Sequence, residues 1–439
     1  MNLASLVGHI TELLSLTHGS AQPVDRTVAT FFHSRTYLGS RDRRFISDAV
    51  YGIIRNRRYL EALLEHLVDS DARAADLDLP MKRYLALYGL YSLTLAKEAT
   101  GGGVPPSLWT AAFPSMPIED FTAWADTHRD LPGLEGATLL AVRESFQDWM
   151  VERWSADLGE ELPALLAALN VPADVAIRVN TLKTTRDELA PRLLAEGVPT
   201  VAARHSADAL IASKRFNAQA LSSFTEGLFE VQDEGSQLVS LLAAPAPGQS
   251  VVDGCAGAGG KALHMAALMK NTGTIVAIDS DAKRLRELER RARRAGAAII
   301  VAVPFGNLVP GNLTATADLV LVDAPCSGSG TIRRNPAFKW SLSESLVAHY
   351  AEQQGVILAA NADFVKPGGR LAYATCSIFR QENEGVVEAF LAAHPEFSIV
   401  SLAGPAAALG LEGAGETLTF YPHRTRTDGF FLALMERAA

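Results

Sequence analysis

Three cysteines and an aspartate carry the chemistry this sequence can offer. Asp323 and Cys326 follow directly on Asp318-Leu319-Val320-Leu321-Val322, and Cys376 follows Gly369-Arg370-Leu371-Ala372-Tyr373-Ala374-Thr375. Apolar, β-branched runs bounded by turn residues read as buried parallel strands, and open α/β sheets bind ligands beyond the carboxyl ends of such strands. An acid and two thiols therefore arrive where a ligand would sit. Cys255, the third cysteine of the chain, ends another such run beside a glycine-rich loop. Any one of the three is read most simply as a small residue filling a strand end. Together, in one half of 439 residues, they ask for a chemical explanation.

The loop Asp253-Gly254-Cys255-Ala256-Gly257-Ala258-Gly259-Gly260-Lys261 joins a strand to a helix. Its glycines let a ligand approach the backbone, and a helix N-terminus favours a negative group. Gly257, Gly259 and Ala262 match the loose dinucleotide pattern, which keeps a nicotinamide or flavin enzyme open. The P-loop pattern fails, because Cys255 stands at its first glycine and Ala262 at its Ser/Thr. Asp279, ending Thr274-Ile275-Val276-Ala277-Ile278, can accept hydrogen bonds from two ribose hydroxyls, as in NAD and S-adenosylmethionine sites; alone, it is a turn-forming acid. The loop does not choose between those cofactors.

The thiols do. Hydride transfer needs none, whereas methylating carbon 5 of a pyrimidine needs a thiolate that adds to carbon 6 and pushes electron density onto carbon 5. An acid near ring nitrogen 3 stabilises that adduct, and a base must then remove the carbon 5 proton so that the thiol can leave. Asp323 and the second thiol suit those tasks.

Three stretches must position these groups. Residues 1–140 show apolar residues at three- and four-residue spacing and form a helical bundle, with seven arginines between Arg35 and Arg58. Such a run is usually a solvated face; RNA backbone contact is the alternative. Residues 141–244 form a small α/β connecting domain, with a strand at Ala176–Lys183 and a strand and helix start at Leu228–Ser236, Gly235 or Ser236 near the cap. Residues 245–439 alternate strand and helix, which predicts a doubly wound parallel sheet with right-handed crossovers and an antiparallel edge strand at Gly429–Leu434.

Composition narrows the function. With 48% hydrophobic and 20% charged residues the chain is globular, and its formal charge of -9 excludes a uniformly basic nucleic-acid coat. Three cysteines without a C-x-x-C pair argue against a disulfide framework or a structural zinc, so no metal is expected. Without a signal-like start or a membrane-length apolar run, the expected location is the cytoplasm, away from the membrane.

Several motifs then point to a family. Asp323-Ala324-Pro325-Cys326-Ser327-Gly328, Arg333-Arg334-Asn335-Pro336, Lys366-Pro367-Gly368-Gly369, Tyr373-Ala374-Thr375-Cys376-Ser377, Glu382-Asn383-Glu384 and Asp428-Gly429-Phe430-Phe431 occur in order. Together with Arg178-Val179-Asn180-Thr181 and Val231-Gln232-Asp233-Glu234-Gly235-Ser236, they resemble the Sun/Fmu family of RNA 5-methylcytosine methyltransferases. The amino-terminal part is similar to the NusB-type RNA-binding domain, most clearly at Ser40-Arg41-Asp42-Arg43-Arg44-Phe45.

The resemblance implies a Rossmann-like methyltransferase fold behind an all-α NusB-like domain, and a substrate in RNA, specifically small-subunit ribosomal RNA. It implies Cys376 as the nucleophile, Cys326 as the thiol that assists release, and Asp323 between cofactor and cytosine. S-adenosyl-L-methionine would be held by Cys255, Ala256, Gly257, Ala258, Gly259, Gly260 and Lys261, with Asp279 on its ribose and Asn307 near its adenine. Gly257, Ala258 and Ala262 stand where the family loop usually has Ala, Pro and Thr, and Asn307 where it has Asp; altered donor affinity with activity retained is expected. No obligate protein partner is evident. A non-catalytic RNA-binding or assembly factor on the same fold is the reading from another class.

Overall fold

The computed structural model describes residues 1–18, 22–96, 103–131, 133–308 and 311–439. The chain divides into two compact units, residues 1–170 with 335–341, and residues 171–334 with 342–439.

The first unit is helical. In the helix Ser40–Arg55, Ile46, Ala49, Val50, Ile53 and Ile54 repeat at three- and four-residue spacing and are buried against Leu13, Leu60, Leu64 and Tyr88. Its arginines are largely engaged within the unit. Arg35 pairs with Glu12 and lies over the Phe31 ring, Arg43 donates to the Leu38 carbonyl, Arg57 pairs with Glu61 and Arg58 with Asp148. Arg55 is 7% exposed and donates to the Leu169 carbonyl. A face committed to such contacts has less to offer a phosphate backbone than its charge count suggested.

The run Asn335–Ser341 belongs to this unit although it follows the Cys326 loop in sequence. Lys339 is fully buried, its ammonium donating to the carbonyls of Arg55 at 2.9 Å and Glu144 at 3.2 Å and to Asn170 Oδ1. Arg55 and Asn170 end their helices and Glu144 caps a third, so the Lys339 side chain sits where three helix C-termini meet, taking two backbone carbonyls and one side-chain oxygen. So close in sequence to the Cys326 loop, Lys339 could pass for an exposed cation facing a ligand, but its side chain is spent on these internal contacts; Trp340 Nε1 donates to the Ile54 carbonyl.

The second unit holds two sheets. In the smaller, β1 (Val175–Val179), β2 (Thr200–Ala202), β3 (Ala209–Ala212) and β4 (Phe229–Val231) lie in the order β2-β3-β1-β4, all antiparallel. After β4 the helix Glu234–Ala243 is capped by Asp233, whose carboxylate accepts from Gly235 N; an acceptor two residues upstream, and not Gly235 or Ser236, satisfies the first free amide.

The larger sheet is built from β5 (Ser250–Asp253), β6 (Thr274–Asp279), β7 (Ile300–Pro304), β8 (Ala317–Asp323), β9 (Val365–Thr375), β10 (Phe397–Val400), β11 (Thr417–Phe420) and β12 (Phe430–Arg437). The order is β10-β12-β9-β8-β5-β6-β7, with β11 also pairing to β12; β5 to β9 run parallel and the rest antiparallel. Successive strand residues feed opposite faces. Val251, Leu319, Leu321 and Ala372 enter one core, Val252, Val320, Val322 and Leu371 the other. Apolar cover on both faces is what a doubly wound Rossmann-like sheet requires. The last strand is antiparallel as expected but is not an edge. Phe430 to Met435 are all buried, and β10 and β11 cover the far side of so apolar a run.

Candidate active site

The carboxyl ends of β5, β6 and β8 open on a cavity of about 670 Å³ within the second unit. Its floor is the loop after β5. Gly257 and Gly259 have φ of 55° and 84°, in the left-handed region that glycine adopts without strain, and Gly259 carries the chain into the helix Gly260–Leu268. Side chains from elsewhere in the unit fix this loop. Arg178 donates to the Gly260 carbonyl at 2.6 Å, and Arg291, paired with Glu230, donates to the Ala258 carbonyl at 2.7 Å.

Two acids line the cavity with opposite degrees of engagement. Asp279 Oδ2 accepts from Gly257 N at 2.8 Å and Oδ1 from Asp281 N at 2.7 Å, so it shapes the loop while each oxygen keeps a lone pair for a ligand. Asp253 is 1% exposed, and neither carboxylate oxygen has a partner. Burial, then the nearby charge of Asp323, pushes its pKa up to about 7. Cys255, Ala256, Gly257, Ala258, Gly260 and Lys261 line the cavity, with Phe305, Pro325, Ile357 and Asn361. Asn307 is exposed in the turn after β7 and is not among the lining residues, whereas Phe305, two positions earlier, is.

At the end of β8, Lys261 Nζ meets Asp323 Oδ2 at 2.6 Å, the lysine 8% and the aspartate 30% exposed at the side chain. Three residues on, Cys326 Sγ lies 3.2 Å from Cys376 Sγ, which follows β9. Register explains the convergence. β8 and β9 are adjacent and parallel, with Asp323 opposite Ala374, so both loops leave the sheet at the same level. The hydrogen bond with Cys376, followed by burial, raises the Cys326 pKa well above the ordinary thiol value, so Cys326 retains its proton. Cys255 is different. It has no thiol neighbour; burial, then the charges of Asp253 and Asp323, raises its pKa too, and it serves as part of the cavity wall.

Residues of the flanking motifs are engaged as well. Arg334 is ion-paired with Asp233 at 2.7 Å and with Asp428, and Arg333 donates to the carbonyls of Arg426 and Thr427, so the two arginines hold the segment before β12. Gly330 and Gly429 touch backbone to backbone there; a Cβ on Gly330 would lie 2.1 Å from the Gly429 oxygen. Glu382 is fully buried behind the thiols. Its only signal in sequence was its place in Glu382-Asn383-Glu384, and nothing local distinguished it from a surface acid. Among the described residues no group of acids, histidines and cysteines could hold a metal, and no helix is long and apolar enough to cross a membrane.

Comparison with known proteins gives the family and the fold. The family described as 16S rRNA methyltransferase RsmB/F matches residues 240–436, and the RsmF/B-like ferredoxin-like domain matches residues 146–219. A probable ribosomal RNA small subunit methyltransferase B of Synechocystis is 31% identical over 91% of this chain and 92% of its own. The 28S rRNA (cytosine(4447)-C(5))-methyltransferase of Homo sapiens is 32% identical over 68% of this chain and 38% of its own. The crystal structure of PH0851 superposes with a TM-score of 0.77 at 28% identity, covering 100% of this chain and 99% of that one. Full-length similarity at this level places the protein: it is an enzyme of the methyltransferase class and belongs to the RsmB/F family of ribosomal RNA methyltransferases.

Proposed function

We propose that this enzyme transfers a methyl group from S-adenosyl-L-methionine to carbon 5 of a cytosine in RNA, that of the small ribosomal subunit, through a covalent adduct between Cys376 and carbon 6. The observation that carries the reading is the pair of sulfurs 3.2 Å apart, delivered by the loops after the adjacent parallel strands β8 and β9, the first of which ends in Asp323 of the cavity. When bound, S-adenosylmethionine supplies an electrophilic methyl group.

The cavity suits that donor. The unpartnered Asp253 carboxylate is an acceptor for its ammonium, the Gly259–Gly260 helix start favours its carboxylate, Asp279 offers lone pairs to its ribose, and Phe305 and Pro325 are apolar walls for its base. Cys255 to Lys261 form the floor beneath it, and Asn307 remains at the rim. The chain's own residues do the rest. Cys376 attacks carbon 6 as a thiolate while Asp323 faces the ring from the end of β8. Once carbon 5 carries the methyl group a base takes the carbon 5 proton, the carbon 6–sulfur bond breaks, and the Cys326 thiol donates a hydrogen bond to the departing Cys376 thiolate. A cytosine reaches these groups only in a loop or turned out of a helix. The division into residues 1–140, 141–244 and 245–439 is proposed to separate RNA binding, connection and catalysis, in the cytoplasm.

Radiolabelled methyl transfer to RNA tests this directly: Cys376→Ala reduces it to background while labelled S-adenosylmethionine still binds at equilibrium. Absence of donor binding at high ligand concentration would instead support a non-catalytic RNA-binding or assembly factor. Bisulfite mapping of RNA from cells lacking the protein then identifies the cytosine.

A further inference from the structure

Behind the two sulfurs lies a buried acid that the mechanism does not use. Glu382 is 0% exposed, and no salt bridge reaches it among the described residues. Its charge is met by four neutral donors. Oε1 accepts from Ser327 N at 2.8 Å and Gln354 Nε2 at 3.0 Å; Oε2 accepts from Ser327 Oγ and Ser377 Oγ, each at 2.5 Å. Ser327 follows Cys326 and Ser377 follows Cys376, so one carboxylate holds the residue after each thiol.

The contacts around it extend the same arrangement. Gln354 also donates to the carbonyl of Pro325, on the other side of Cys326, at 2.9 Å. Asn383 accepts from Thr375 Oγ1 at 2.6 Å and donates to the Ser377 carbonyl at 3.0 Å, spanning Cys376 from both sides. Tyr373 in β9 donates to the Glu382 carbonyl at 2.6 Å, fixing the acid to the sheet itself. A buried carboxylate is costly unless its lone pairs are filled, and here filling them fixes two loops that arrive from different strands.

We propose that Glu382 is the positioning residue of the thiol pair: its carboxylate clamps Ser327 to Ser377 and thereby sets the separation at which Cys326 and Cys376 face each other. The kinetic consequence rests on the proposed role of the pair, whereas the geometric one does not.

Hydroxyls both donate and accept, so the amide of Glu382→Gln can keep all four contacts, its oxygen in place of Oε1 and its NH2 donating to the two serine oxygens. Glu382→Asp keeps the charge but shortens the arm by one methylene, and Glu382→Ala removes the clamp. In a Cys255→Ala background, dibromobimane bridging of the two remaining thiols in the folded protein reports their separation. The expected result is bridging in the parent and in Glu382→Gln, with marked loss in Glu382→Asp and Glu382→Ala. In the otherwise unaltered enzyme, Glu382→Ala lowers kcat for methyl transfer by about 10²-fold, the scale of an ångström misplacement, with KM for S-adenosylmethionine unchanged and Glu382→Gln restoring turnover.

Bridging in Glu382→Asp or Glu382→Ala as fast as in the parent overturns the proposal, as does wild-type kcat in either. If Glu382→Ala does not fold, the Gln and Asp variants decide the question between them. If Cys376→Ala retains methyl transfer, the functional reading fails while the bridging result still decides the role of Glu382.

Discussion

Two carboxylates buried in the same unit are treated in opposite ways. Glu382 accepts four hydrogen bonds; Asp253, at the end of β5, accepts none. Both are shielded from water, so the difference lies in what fills their lone pairs. A group that builds the site is satisfied by the protein itself, whereas a group awaiting a ligand is left unpaired and carries the cost of burial. The donor cavity is thus the under-satisfied region and the thiol pair the over-determined one.

The contrast is broken most directly by pH. The Asp253 carboxyl holds its proton up to about pH 7 in the folded protein, whereas an unfolded chain releases it near 4. The folded state therefore binds the extra proton between those values, and stability falls as pH rises through that window, by up to about 4 kcal/mol for a shift of roughly three units. Chemical denaturation at pH 4.5 and pH 8 should show this loss in the ligand-free wild type and a flatter dependence in Asp253→Asn. Saturating S-adenosylmethionine, whose ammonium would supply the missing partner, should flatten the wild-type slope as well. An unchanged slope in Asp253→Asn would remove Asp253 from the account.

A buried lysine sharpens the same contrast in the helical unit. Lys339 resembles Glu382 in that the protein supplies its partners, here the Arg55 and Glu144 carbonyls and the Asn170 side-chain oxygen, although burial, then the Arg55 charge, holds its pKa well below the ordinary lysine value. Lys339→Met removes the donor to the Arg55 carbonyl and to Asn170 Oδ1, and is expected to cost about 3 kcal/mol of stability, read by denaturation, with S-adenosylmethionine affinity unchanged. The smallest effect is expected far from either carboxylate. Thr185 and Glu188 cap the helix Arg186–Ala195 reciprocally, and Thr185→Ala should cost about 1 kcal/mol without altering methyl transfer.

Much of the second unit was legible because its signals are local. The strands before Asp323 and Cys376 are continuous apolar runs, the glycines after β5 mark a tight loop, and Gly296 closes the arginine-rich helix Ala282–Ala295 in a left-handed conformation. Two cysteines at the ends of neighbouring parallel strands must meet, and pattern alone suggested it. What was not legible depends on contacts distant in sequence. Nothing around Glu382 indicates that Ser327, 55 residues away, will claim it. Asp253 looks like an ordinary strand end until its neighbours prove unable to pair with it. Lys339 reads as an exposed cation beside the catalytic loop, and only the convergence of three helix C-termini buries it. The arginines of Arg35–Arg58 likewise read as one charged run, and only their partners within the helical unit separate those committed to it, such as Arg35 and Arg55, from those left exposed, such as Arg44.

The central claim, that Cys376 bonds to the base while Cys326 assists its departure, has one direct test. Cys326→Ala enzyme is incubated with S-adenosylmethionine and substrate RNA, and the denaturation-resistant complex is digested and mapped by mass spectrometry. The account predicts accumulation of a nucleotide covalently attached to Cys376, with no such species from Cys376→Ala. A nucleotide attached to Cys326 in the Cys376→Ala enzyme, with none formed by Cys326→Ala, would exchange the roles of the two thiols and contradict it.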